Sequence, residues 1–424
     1  MFGVLYALGL AAYRTGVHLA AAVGHPKARK AVTGRRGWED RLAQAARNAG
    51  PDRRGEWIHL HCASFGEFEQ GAPVLAALRE RAPERPILLT FFSPSGIESV
   101  PPDVADHVDY LPLDSPRAMR RFHALIPAAD TVLIKYELWP GLLNARLEAG
   151  CRVHLVAGRF DRGRFPANRW GAGIRSLLSA FTTVQVQDGE SKAVMARFGI
   201  DCDVTGDPRV DRVLDTASRP AGDKVQVQLN RLSTWIGERT LLIVGSAWPG
   251  EWQAVQGCFG RREAWCFLVA PHEVGSPAVA EWASASGFPR TSQHRTGNLP
   301  PSEGLILDEV GLLKHAYRLG TLAVVGGGWG AGVHNTLEPA AFGLPIAVGP
   351  ATEGFREIVA LEAEGALHVC NTPDEMADLL RTWMAPDSAS TLEEKGVIAS
   401  RWVTKRSGAA HRIADRILGT GAGR

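Results

Sequence analysis

Short apolar runs with strand character recur along the chain, each followed by a turn and often by a stretch with helical spacing. In the first half they fall at 57–62, 86–91, 107–111, 131–135, 152–156 and 183–187. Residues 115–125 and 138–149 place apolar side chains at helical intervals between them. A second series follows a polar stretch and falls at 240–244, 265–270, 305–307, 322–326 and 344–348. Strands alternating with helices predict a parallel sheet covered on both faces, and two such series predict two doubly wound, Rossmann-like α/β domains. Open sheets of this kind bind ligands beyond the carboxyl ends of their strands. The loops after the strands, facing an interdomain cleft, are therefore where chemistry is expected.

The hydrophobic pattern of 1–23 is of another kind. It is apolar throughout, with Phe2, Val4, Leu5, Leu8, Leu10, Val17 and Leu19, but Arg14, Thr15 and His18 interrupt it. A spanning helix needs about 20 predominantly apolar residues, and a central arginine costs a few kcal/mol on insertion scales. An interfacial helix fits better, held by apolar burial and by the basic stretch at 27–36 against anionic lipid; a helix packed on its own domain is the alternative. The expected division is 1–36 as a membrane-associating segment and 37–214 as the first domain. A linker at 215–239, a second domain at 240–394 and helices at 395–424 packing back on the first domain complete it.

Composition narrows this without redirecting it. The 424 residues suffice for two or three domains, and 45% hydrophobic with 22% charged residues is a globular composition. A net charge of +2 gives no reason to expect nucleic acid as a partner. The positive charge is instead local: residues 1–38 contain no Asp or Glu but carry Arg14, Lys27, Arg29, Lys30, Arg35 and Arg36. Six scattered cysteines without a CxxC pair argue against a zinc ribbon or a disulfide framework and fit a reducing cytosol.

Three loops carry candidate chemistry. After the first strand comes Ala63-Ser64-Phe65-Gly66-Glu67, in which Glu67 is either a general base or the third residue of a capping box opened by Ser64. Glu137 lies after the strand ending at Lys135, either as a second acid of the same site or as a residue favouring the positive end of the next helix. In the second half, 325–339 reads Val-Gly-Gly-Gly-Trp-Gly-Ala-Gly-Val-His-Asn-Thr-Leu-Glu-Pro. Its glycines Gly327, Gly328, Gly330 and Gly332 allow close backbone approach to a ligand, with phosphate expected. Glu338 is then placed to accept from hydroxyls; a capping role for Asn335 and Glu338 is the competing reading. Ser246 and His272 follow two other strands, although a lone histidine is more often structural. Asp201-Cys202-Asp203 has D-x-D spacing, but its setting before a short β run makes it a coincidence, and no other group has convincing metal spacing.

At these residues the chain resembles the 3-deoxy-D-manno-octulosonic acid (Kdo) transferases of lipid A assembly. The motifs are Ala63-Ser-Phe-Gly-Glu67, Phe92-Ser-Pro-Ser-Gly96, Tyr110-Leu-Pro-Leu-Asp114, Tyr136-Glu-Leu-Trp-Pro140, Gly245-Ser246 with Glu251, His334 to Pro339, Gly343-Leu-Pro345, Gly349-Pro350 and Phe355-Arg-Glu357. They run in order over nearly the whole chain. The resemblance implies a GT-B fold and an inverting, metal-independent transferase with no cofactor. It implies CMP-Kdo as donor, a lipid A precursor as acceptor and a place on the cytoplasmic face of the inner membrane. By it, Glu67 is the base and Glu137 a supporting or acceptor-side acid. Asn335 and Glu338 lie near the nucleotide, the glycine loop faces phosphate, and Ser64, Gly66 and Arg209 are further phosphate or sugar contacts. The chain departs from the family in having Pro271-His272-Glu273 for Pro-Arg-His, Gly206-Asp207-Pro208-Arg209 for Gly-Asn-x-Lys, and Gly158-Arg159-Phe160 in the Ala-Arg-x-Ser segment. Another GT-B transferase or an epimerase using a UDP-sugar is the alternative.

Overall fold

A computed structural model describes residues 2–419 apart from 102, 165, 169, 170, 261–263 and 331. Met1, residues 420–424 and the side chains of 2–5, which belong to the expected terminal segments, lie outside the described residues. The chain forms two compact units, one of Met1–Arg212 with Gly408–Arg424 and one of Val213–Ser407.

The first unit holds a parallel sheet of β1 (Trp57–Cys62), β2 (Ile87–Phe91), β3 (His107–Tyr110), β4 (Ala128–Ile134), β5 (Arg152–Gly158), β6 (Thr183–Val186) and β7 (Asp203–Val204), in the order β3-β2-β1-β4-β5-β6-β7. The second holds β8 (Thr240–Ala247), β9 (Trp265–Pro271), β10 (Gly304–Ile306), β11 (Leu322–Val325), β12 (Ile346–Val348) and β13 (Leu367–Val369), in the order β10-β9-β8-β11-β12-β13. Every pairing among the described strands is parallel. β1, β2 and β9 are buried along their full length, which is why they read as continuous apolar runs rather than alternations. Chain order reverses between β1 and β4 in one sheet and between β8 and β11 in the other. These are the topological switch points where doubly wound sheets open a crevice.

The polar stretch at 215–239 is not a linker. The helix Asp223–Ile236 buries Leu229, Leu232, Trp235 and Ile236 against β8, β9 and β10, with Leu241, Leu268 and Leu305 in the same cluster. Its Lys, Gln and Asn residues occupy the opposite face, so its composition resembles a linker while its spacing is that of an amphipathic helix. The C-terminal stretch also divides. Ala389–Thr404 stays with the second unit, where Gly396 lies against the backbone of Gly343. The helix Ala409–Leu418 returns to the first unit and buries Ala410, Ile413, Ala414 and Ile417 beside Val74 and Leu78 of the helix Phe65–Arg81. Asp211 accepts the N–H groups of Gly408 and Ala410 at 2.5 and 2.7 Å and so caps that last helix.

The N-terminal helix Phe2–Ala22 meets its own unit on one side, through Tyr6 donating to Asp114 at 2.6 Å and Tyr13 beside Phe92. Elsewhere it exposes Leu8 and Leu19, each 63% accessible. No helix among the described residues is long and apolar enough to cross a membrane. Arg35, counted above with the membrane-facing charges, is folded inward: it donates to the carbonyls of Leu111 and Phe92 and lies over the rings of Phe92 and Tyr110. Lys30 is paired with Glu98 at 2.7 Å. Arg14, Lys27, Arg29 and Arg36 remain exposed.

Candidate functional site

Glu67 and Glu137 follow the two strands that flank the first switch point. β1 ends at Cys62, Ser64 takes an extended backbone (φ −145°, ψ −178°), and the helix Phe65–Arg81 starts immediately. Gly71 permits this close start, since a Cβ there would come within 3.0 Å of Cys62 Sγ. The spacing of Ser64 and Glu67 favours a capping box, but the Ser64 side chain makes no cap hydrogen bond. Its hydroxyl donates to Glu67 Oε2 instead. The carboxylate is therefore held by one oxygen and not spent on the helix end. Glu67 is partly buried, and no second partner of its carboxylate occurs among the described residues.

Glu137 is aimed by local strain and by an aromatic stack. Lys135 adopts φ 60°, a left-handed conformation costly for a non-glycine residue, and it turns the chain out of β4. Trp139 Nε1 donates to Glu137 Oε2 at 2.8 Å, and the Trp139 ring is stacked on Phe92 with centroids 4.6 Å apart. The Phe92 and Ser93 N–H groups are in turn bound by the Ala63 carbonyl, joining the loops after β2 and β1. Both acids act on the same buried thiol: burial first, then the charges of Glu67 and Glu137, push the Cys62 thiol well above its ordinary range. Glu67 and Glu137 thus lie at one end of one sheet, around Cys62.

Two further residues of this site were not singled out from the sequence. Asp114, in the Leu-Pro-Leu-Asp motif, accepts the N–H groups of Gly141 and Leu142 at 2.7 and 2.6 Å, fixing the start of the helix Pro140–Glu148 that follows Glu137. Burial raises the Asp114 carboxyl above the usual range against the pull of the Tyr6 hydroxyl and those two N–H groups. His61, on β1, is fully buried with Nε2 3.7 Å from Glu137 Oε2. The signal available was a pair of histidines two apart in an otherwise apolar strand.

At the second switch point the end of β8 carries Ser246, Trp248 follows the strand, Glu251 lies in the first turn of the helix Pro249–Gln256, and the loop after β11 carries the glycines. Ser246 is left-handed (φ 53°), a strained backbone at the mouth of the strand. Glu251 is completely buried; its carboxylate accepts the Trp248 N–H at 3.0 Å and the Gly328 N–H at 3.2 Å, and the Gly327 N–H also bears on it. Burial pushes the Glu251 carboxyl up, with these backbone donors opposing.

The glycine N–H groups are engaged inside the protein. Gly330 and Gly332 donate their N–H groups to the Gly327 carbonyl and His334 donates to that of Gly326. With the Gly328 N–H on Glu251, these donors have partners within the protein. The glycines answer to packing: a Cβ on Gly328 would fall 2.3 Å from Gly349 Cα, and one on Gly326 2.1 Å from the Ser246 carbonyl oxygen. Asn335 Oδ1 accepts the Leu337 N–H at 3.1 Å, the helix-start role weighed against nucleotide binding above. Glu338 sits in the first turn of the helix Leu337–Ala341.

The loops also present a stack. The Trp248 and His272 rings lie 4.5 Å apart at 20°, and His272 is followed by His334 at 4.6 Å. His272 is exposed. Trp248 Nε1 donates to His334 Nε2 at 3.4 Å, so that nitrogen carries no proton. Burial, then the nearby His272, lowers the His334 pKa in keeping with a neutral ring. In the first unit Arg209 is bound by the Asp207 carboxylate, at 2.8 Å through Nε and 2.6 Å through Nη2, which weakens it as a phosphate contact. Asp203 pairs with Arg416 at 2.6 Å and Asp201 is exposed, so the D-x-D spacing gathers no common site.

A family model described as 3-deoxy-D-manno-octulosonic-acid transferase (kdotransferase) matches residues 36–212. The 3-deoxy-D-manno-octulosonic acid transferase of Haemophilus influenzae is 26% identical over 377 residues, covering 84% of this chain and 86% of the relative. That of Aquifex aeolicus is 27% identical over 351 residues, covering 80% and 88%. Residues 36–212 thus carry a Kdo transferase domain, and the likeness to the Kdo transferases extends over most of the chain. Its fold is shared more widely: a UDP-GlcNAc 2-epimerase from Neisseria meningitidis, crystallised with UDP-GlcNAc, superposes with a TM-score of 0.64 at 12% identity, covering 86% of this chain and 100% of that one. Within the family match lie the Ser64–Glu67 pair, Asp114 and the Glu137–Trp139 pair, all on the first unit.

Proposed function

We propose that this chain transfers Kdo from CMP-Kdo to a lipid A precursor by a single inverting displacement, with Glu67 as general base. The likeness to the Kdo transferases makes it a glycosyltransferase of lipopolysaccharide biosynthesis; the roles of individual residues, the donor and the form of the acceptor are our reading. One observation carries it: Glu67 is held at the first switch point through Oε2 by Ser64, with Oε1 left to take a proton. In the step, the acceptor hydroxyl oxygen bonds to the anomeric carbon of Kdo as its proton passes to Glu67. The bond between that carbon and the CMP phosphate oxygen breaks, and CMP departs with the electron pair. Glu137 orients the acceptor sugar. No metal is required by this scheme. On the second unit the exposed His272 imidazole and the Ser246 hydroxyl are the groups we assign to the departing phosphate, and Glu338 and Asn335 to the nucleotide.

We place the enzyme on the cytoplasmic face of the inner membrane. Supporting this are the exposed Leu8, Leu19 and Val23 and the exposed cations Arg14, Lys27, Arg29 and Arg36, in a segment without Asp or Glu through residue 38. The test is transfer by purified protein, with CMP-Kdo generated in situ, a lipid A precursor as acceptor and mass analysis of the product. Wild type adds Kdo; Glu67→Ala does not, while keeping its CMP affinity and melting temperature. Wild-type turnover in that variant removes Glu67 from the mechanism. Absence of transfer by wild type, with UDP bound in preference to CMP, points to a UDP-sugar enzyme.

A further inference from the structure

Buried on β1 and β2 is a polar chain that the reaction scheme leaves unused. His59, His61 and Thr90 are fully buried. His59 Nε2 and His61 Nδ1 each lie 2.8 Å from Thr90 Oγ1, one on either side of a single hydroxyl. At the far end His61 Nε2 has no hydrogen-bond partner and faces Glu137 Oε2 at 3.7 Å. A buried, unpaired polar nitrogen is costly, and here it points at a carboxylate.

The hydroxyl has one proton, so the chain has two polarities. In one, His61 Nδ1–H donates to Thr90, whose hydroxyl donates to His59; the Nε2 lone pair of His61 then confronts the Glu137 carboxylate. In the other, His59 Nε2–H donates to Thr90, whose hydroxyl donates to His61 Nδ1. That polarity places the His61 proton on Nε2, toward Glu137. His61 Nδ1 also lies 3.1 Å from the Thr90 carbonyl oxygen, an acceptor that favours the first polarity; the Glu137 carboxylate carries a full charge, outweighs that neutral acceptor and selects the second. The gap of 3.7 Å is just beyond hydrogen-bond length, and such contacts tighten when substrate engages the carboxylate.

We propose that His61 is a positioning residue for Glu137: oriented by Thr90 and His59, it donates Nε2–H to Glu137 Oε2 and, with Trp139, leaves Oε1 directed at the acceptor sugar. This rests on the reading of Glu137 as an acceptor-side acid. Trp139 already donates to the same Oε2, so the two donors together fix the plane of the carboxylate. The charged and titratable neighbours are accounted for. Asp114 lies near enough to His61 for their charges to interact, with Tyr6 on Asp114; Cys62 adjoins it on β1; and Arg146, with His123 beside it, bears on His59 from the other side.

The experiment is a double-mutant cycle on acceptor kinetics, with CMP-Kdo saturating. His61→Leu should lower kcat/KM for the acceptor by about tenfold to a hundredfold, within the range of coupled neighbours, with the KM for CMP-Kdo unchanged. In a Glu137→Gln background the same substitution should cost no more than about twofold. His61→Gln, whose amide nitrogen can take the place of Nε2–H, should recover most of the activity. Thr90→Val, isosteric but without the hydroxyl, should reproduce the loss in weaker form and keeps the test open if His61→Leu folds poorly. An equal loss in both backgrounds, or full activity in His61→Leu beside an inactive Glu137→Gln, overturns the proposal while sparing Glu137. Full activity in Glu137→Gln itself overturns the role of Glu137, and this inference with it.

Discussion

Replacing Glu251 tests whether the glycine loop is organised from within rather than by a ligand. Its carboxylate is fully buried and satisfies N–H groups from two segments, Trp248 after β8 and Gly328 after β11. Glu251→Ala leaves at least two buried donors unpaired, at about 1–3 kcal/mol each, and opens a small cavity. The expected destabilisation is about 3–5 kcal/mol, a large share of the stability of a domain. Glu251→Gln keeps the volume and one acceptor oxygen but turns an NH2 toward one of the donors, so about 2 kcal/mol is expected. The readout is urea unfolding followed by tryptophan fluorescence, together with hydrogen exchange at Gly328. Exchange there should be slow in the wild type and fast in both variants.

The pH dependence has a definite sign. Because burial raises the folded-state pKa of Glu251, its contribution is fully present below the unfolded value of 4.5 and is lost as pH rises through the raised folded value. Glu251→Gln should remove that component of the pH profile. A Glu251→Ala variant destabilised by less than about 1 kcal/mol, with Gly328 still protected, would refute the account of the loop.

Three other outcomes follow from the geometry. Ser64→Ala should retain measurable transfer, within about 10- to 100-fold of wild type, while Glu67→Gln has none, because in the proposed scheme the serine orients the base and the glutamate accepts the proton; equal losses in single-turnover rates would place Ser64 in the chemistry itself. Gly328→Ala should unfold at clearly lower urea, by about 2 kcal/mol or more, since its Cβ meets Gly349 Cα at 2.3 Å and backbone must move, and an unchanged midpoint would contradict the packing. Asp130 is buried, which alone would raise its pKa, but His154, Arg152 and Arg85 hold it at about 2. Its contribution, about 2 kcal/mol, is therefore present above the unfolded value of 3.8 and lost as pH falls through about 2, so acid unfolding of Asp130→Asn should lack that step.

How far the chain could be read without its structure depended on whether a residue's role was local or shared between segments. β1 and β9 declare themselves because a strand buried on both faces must be apolar along its length, and the alternation with helices then implies parallel sheets. Glu67 and Glu137 could be selected because each directly follows such a strand. The capping box at Ser64 and Glu67 has the right spacing, yet the same four residues allow the serine to bond the carboxylate directly, and spacing does not distinguish the two. The helix Asp223–Ile236 was hidden by its polar face, although Leu229, Leu232, Trp235 and Ile236 carry helical spacing. The packing of the glycine loop was hidden for a deeper reason. A run of glycines states that backbone comes close to something, and only the fold shows that Gly349, the Ser246 carbonyl and a buried Glu251 from other segments are among the partners. The same holds for His61, whose meaning lies in Thr90 on β2 and Glu137 beyond β4. Both switch points therefore carry one design: a carboxylate set by nearby donors, partly open to solvent at Glu67 and Glu137 and fully enclosed at Glu251.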